Sequence, residues 1–88
     1  MRFYTYILEC KDGTLYTGYS NDLDKRVRAH NESKTGAKYT KGKRPVKLVY
    51  SKTFKTLSEA LKREIQIKNL TRKQKLELIE KNKSKKIK

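Results

Sequence analysis

The chain has 88 residues, enough for one compact domain and too few for two that each bury a core. With 24 Lys and Arg against 9 Asp and Glu the formal charge is +15, a self-repulsion that a polyanion relieves, and nucleic acid is the expected partner because neutralised phosphates release counterions without a shaped pocket. One Cys and one His exclude an internal disulfide and a Cys/His zinc site, and the absence of a long apolar run or lipidation signal argues against a membrane, so a cytoplasmic monomer is expected.

Phe3 to Cys10 and Thr14 to Tyr19 are rich in aromatic and branched residues around Lys11-Asp12-Gly13, the pattern of a β-hairpin. A two-residue Asp12-Gly13 loop would send Tyr6 and Tyr16 to opposite faces. A three-residue loop closed by a left-handed Gly13 pairs Cys10 with Thr14, Leu8 with Tyr16 and Tyr6 with Gly18, which places both tyrosines on one face; this is the expected arrangement. Ser20-Asn21-Asp22 caps a helix over about Asp22 to Asn31, with Leu23, Val27 and His30 as its inner stripe and Arg26 beside them.

Glu32 to Pro45 reads as a basic, glycine-bearing loop. Within it Lys38, Lys41, Lys43 and Arg44 are the expected phosphate contacts, and Tyr39 is available for stacking on a base. Val46 to Phe54 reads as a third strand. Thr56-Leu57-Ser58-Glu59 and Thr71-Arg72-Lys73-Gln74 are capping-box patterns that open helices running to about Asn69 and about Lys81. The expectation is one α+β domain over residues 1–82, a small three-stranded antiparallel sheet flanked by helices in the order β-β-α-β-α-α, followed by a basic disordered tail over residues 83–88.

Several side chains invite a chemical reading. Glu64 falls near the centre of the stripe formed by Leu57, Ala60, Leu61, Ile65 and Ile67, where a carboxylate must be paired or used. It can pair with Lys68 one turn along, or ligate a hard cation such as Mg²⁺ that keeps waters for a phosphate to displace. Arg26 and His30, four residues apart, share a helical face turned toward the sheet; Arg26 can reach solvent or grip a phosphate in bidentate fashion, and His30 can be a core residue or a proton carrier. A tyrosine beside a metal and an arginine can lose its proton below its usual pKa of about 10 and act as a base.

The sequence Tyr4-Thr5-Tyr6 and Tyr16-Thr17-Gly18 across a short hairpin, followed by Arg26, His30 and a helical Glu64, resembles the GIY-YIG nuclease superfamily over roughly residues 2 to 80. Within it the chain is similar to the small stand-alone bacterial proteins made of this one domain. The resemblance implies a GIY-YIG endonuclease-like fold and hydrolysis of nucleic-acid phosphodiesters, DNA before RNA, with one Mg²⁺ or Mn²⁺ ion. It makes Tyr6 and Tyr16 the motif tyrosines, one of them activating water, with Arg26 on the scissile phosphate, Glu64 on the metal and His30 assisting with substrate or protons. All five should line one concave site, and Gly18 should let backbone and substrate approach closely. Thr5 and Thr17 depart from the family's isoleucines, Tyr4 replaces its first glycine, Tyr19 stands where some members carry lysine, and the nearest counterparts of a downstream asparagine are Asn69 and Asn82. The competing expectation is a basic DNA- or RNA-binding module without catalysis.

Overall fold

The computed structural model describes residues 2–32 and 45–86. The expected contacts Lys38, Tyr39, Lys41, Lys43 and Arg44 lie outside the described residues. Among the described residues, three strands and three helices follow in the expected order: β1 (Phe3–Glu9), β2 (Leu15–Ser20), α1 (Leu23–Glu32), β3 (Lys47–Phe54), α2 (Leu57–Lys68) and α3 (Arg72–Lys86). The sheet is antiparallel throughout, with β1 between β2 and β3.

The hairpin takes the three-residue loop. Gly13 has φ 86°, the Cys10 amide donates to Thr14 O at 2.8 Å, and Leu8 pairs with Tyr16 and Tyr6 with Gly18. Asp12 Oδ1 accepts from both the Thr14 amide and its hydroxyl, which holds the turn from inside.

As the central strand, β1 is buried on both sides from Thr5 to Leu8. On one face Tyr6, Leu8, Cys10 and Val46 pack with Leu23 and Val27 of α1; on the other Ile7 and Tyr50 pack with Ile67 of α2 and Ile79 of α3. Helices thus cover both faces, and each fully buried Ile or Leu contributes roughly 1.5–3 kcal/mol to holding them there. The Thr5 hydroxyl donates to Ala60 O at 2.7 Å, which ties α2 to β1 at a fixed height.

Side chains set the helix ends. Asp22 Oδ1 accepts from the Lys25 amide at the start of α1. At its other end the Asn31 amide group bonds both Val46 N and Val46 O, imitating a ladder pair and fastening α1 to the approach to β3. The Thr71–Gln74 capping box forms reciprocally, whereas at Thr56 the Glu59 amide donates to Oγ1 and the hydroxyl in turn donates to the Glu59 carboxylate.

Two expectations need correction. Ile65 is not part of the buried stripe of α2 but 58% exposed; at 100° per residue it lies about 140° from Ala60, so it cannot share a face with Ala60 and Ile67. The final helix continues past Lys81 to Lys86, into the stretch read as a disordered tail, because no Gly or Pro interrupts it. No described helix is long and apolar enough to cross a membrane.

Candidate functional site

An open cavity of about 700 Å³ lies beside β2, bounded by α1 and α2. Tyr6, Tyr16, Arg26 and Glu64 all line it, so side chains from β1, β2, α1 and α2 converge on one place. The hairpin register brings the tyrosines together: their ring centroids are 6.5 Å apart, tilted by 41°. Arg26 reaches them from the second turn of α1, where Nε donates to Tyr6 Oη at 3.4 Å.

His30 is the exception among the five. It is fully buried, with Nε2 3.1 Å from Tyr6 Oη and its ring edge-on to Tyr16 at 5.1 Å between centroids. It stands behind the tyrosines rather than on the cavity wall, because it belongs to the sheet-facing stripe of α1 that the rings cover. The expectation that it lines the site is therefore corrected. It touches both phenol rings.

Gly18 lines the cavity, and its lack of a side chain also serves the packing of the tyrosines. A methyl group there would stand 2.6 Å from Tyr6 Oη, 2.8 Å from Tyr6 Cζ and 3.2 Å from Tyr16 Cε2. The missing side chain makes room for the protein's own phenol, directly across the ladder.

Burial separates the two tyrosines. Burial pushes the Tyr6 phenol above its ordinary value, and this outweighs the hydrogen bond and charge of Arg26, which pull it down. Tyr6 is fully buried, whereas Tyr16 is half-buried on the wall. Bonding to Tyr6 raises the Arg26 guanidinium still further, so it is always a cation.

Glu64 combines the two readings left open by the sequence. Its side chain is 13% exposed and lies 3.5 Å from Lys68 Nζ through Oε2, while Lys68 itself is more than half exposed. No described residue bonds Oε1. A metal held by the protein alone has no place here, since the described residues contain no group of three or more His, Cys, Asp or Glu suited to it. One carboxylate on an open cavity does fit Mg²⁺ or Mn²⁺, which take one or two carboxylates and complete their shell with water and phosphate oxygens.

The sequence reading missed several wall residues. Asp22 and Lys25 flank Arg26, and Phe3, Tyr19 and Leu57 supply an apolar rim. The signal for Asp22 and Lys25 was their spacing on the first turn of α1; the rim depends on how α2 lies against the hairpin, which no local pattern specifies. Neither asparagine counterpart reaches this cavity: Asn69 caps α2 through its backbone, and Asn82 lines a different cavity.

This fold and this convergence define a class, and residues 2–77 match the model of the GIY-YIG catalytic domain. The chain belongs to the GIY-YIG family. More narrowly, it is 58% identical over 78 residues to a UPF0213 protein of Staphylococcus saprophyticus, covering 89% of this chain and 94% of that one. A UPF0213 protein of Syntrophus aciditrophicus is 56% identical, with 90% and 91% covered. The solution NMR structure of a UPF0213 protein from Bacillus halodurans superposes with a TM-score of 0.59 at 46% identity, covering 91% of this chain and 84% of the other. A second NMR structure, of a protein from E. faecalis, gives 0.63 at 41% identity, with 92% and 85% covered.

Proposed function

We propose that this protein is a metal-dependent endonuclease that hydrolyses nucleic-acid phosphodiester bonds, with DNA the first substrate to test. The observation that carries the reading is the convergence of Tyr16, Arg26 and Glu64, from three different elements, on one open cavity beside a buried Tyr6. A module that only bound phosphates would need cations there, and would have no use for a carboxylate and a pair of phenols.

Glu64 would hold one Mg²⁺ or Mn²⁺ ion, whose chemistry is to polarise the phosphoryl oxygen and neutralise charge on it. Arg26 binds the scissile phosphate and meets the charge that develops in the transition state. Tyr16, the less buried phenol, would act in its phenolate form, taking the proton of the attacking water and returning to the neutral phenol. Tyr6 keeps its own proton, because burial favours the neutral form, and instead orients Arg26 and His30 through its oxygen. His30 positions the phenols from behind.

The Glu64–Lys68 contact favours a second reading, a basic binding module in which Glu64 merely satisfies an ion pair. Purified protein incubated with supercoiled plasmid, branched DNA and RNA separates the two. Cleavage that appears with Mg²⁺ or Mn²⁺, stops with chelator and falls by about 10²-fold or more in Tyr16→Phe is the expected result. Cleavage of none of these substrates, with binding intact, selects the module.

A further inference from the structure

A second cavity, of about 570 Å³, lies between β3, α2 and α3 and shares no lining residue with the first. The two sit against opposite outer strands of the sheet. Three cations, Lys52, Arg63 and Lys81, line it against one carboxylate, Glu80. Arg63 is held in place by two bonds, from Nη1 to Gln66 Oε1 at 3.2 Å and from Nη2 to Tyr50 Oη at 3.4 Å. Its Nε–H is buried and has no partner among the described residues. Tyr50 is only 4% exposed, and because its oxygen accepts from Arg63, its own hydroxyl proton points away from that guanidinium.

The wall therefore gathers a guanidinium fixed by two hydrogen bonds, a phenol and two ammonium groups. Such a set suits an acceptor-only ligand that carries more than one negative charge. Phosphate answers both requirements, and its tetrahedral oxygens match the guanidinium fork. We propose that this cavity is a phosphate-binding site, separate from the Tyr6–Glu64 cavity, that takes the phosphate group of a nucleotide or of a nucleic-acid strand. On a strand, it would give the molecule a second grip across the sheet from the first.

Nitrogen-15 NMR tests this on the full chain, titrated with inorganic phosphate, a nucleoside monophosphate and a short DNA oligonucleotide lacking terminal phosphates, each compared with chloride at equal ionic strength. The Arg63 Nε–H and the Ser51 and Lys52 amides should shift saturably with phosphate. Arg63→Gln should weaken that binding by about tenfold or more, as loss of a hydrogen bond to a charged group does. Arg26→Gln, which alters only the first cavity, should leave these shifts in place even if the nuclease reading fails. Saturation by phosphate and the mononucleotide alone identifies a small phosphomonoester ligand; saturation by the oligonucleotide as well identifies the strand backbone. If Arg63→Gln loses its native spectrum, Lys52→Gln at an exposed position takes its place, with a several-fold loss expected. Equal shifts in chloride, or unchanged phosphate affinity in the folded variant, would overturn the proposal.

Discussion

At the residue scale, Tyr6 is the side chain whose surroundings depart most from its ordinary chemistry. It is fully buried, bonded to His30 and Arg26, and its neutral form is favoured by burial. The folded protein therefore keeps this proton at a pH where the unfolded chain has lost it. Its contribution to stability is complete below about pH 10 and is lost as pH rises through the higher folded value. Followed by phenolate absorbance, the Tyr6 phenol should ionise late, together with alkaline unfolding, and Tyr6→Phe should remove that late step. A late step that survives in Tyr6→Phe would show that another tyrosine is the protected one. The family resemblance carried much of this in the sequence: through it Tyr6, Tyr16, Arg26 and Glu64 were readable as a set, where residue types alone left Arg26 and Glu64 open. The depth of His30 was not, because a helical stripe shows which way a side chain points but not whether two rings will cover it.

At the element scale, the hairpin sets the geometry of the site. A two-residue loop would have separated the tyrosines; the third loop residue and a left-handed Gly13 put them on one face. Gly18 then leaves the space that the Tyr6 phenol fills. Gly18→Ala should force that ring aside at a cost of about 1–3 kcal/mol, the usual penalty for overpacking, and should shift the Tyr6 and His30 resonances. Unchanged stability with an unmoved Tyr6 ring would mean that the strands yield more easily than the packing implies. The turn and both helix caps were legible because each is written within four consecutive residues. The exposure of Ile65 is legible too, since its helical angle sets it well away from Ala60 and Ile67. The Asn31–Val46 bonds were not, since they join positions 15 apart across a segment whose path no local rule gives.

At the scale of the whole molecule, a net charge of +15 on 88 residues is the dominant property. If it serves nucleic acid, affinity for unrelated sequences should fall steeply with salt; a protein neutralising roughly six to ten phosphates loses about 10³–10⁵ in affinity over a fourfold rise in ionic strength. Fluorescence anisotropy with two unrelated duplexes checks this, and salt-independent binding would contradict the electrostatic role of the lysines. The order of elements was legible from turns, caps and periodicity. The way α2 crosses the hairpin, bringing Glu64 to a cavity walled by Arg26 from the opposite side of the sheet, was not, because it arises from the Thr5–Ala60 bond and the packing of Ile67.

The central claim is that Glu64 holds a metal for phosphodiester hydrolysis rather than only pairing with Lys68. Glu64→Gln keeps the shape of the side chain and removes the charge a cation needs. Measured side by side on the folded variant, Mg²⁺- or Mn²⁺-dependent cleavage should disappear while nucleic-acid binding stays close to that of the unaltered protein. Cleavage that persists in Glu64→Gln, or a variant that loses only thermal stability and no activity, would contradict the account.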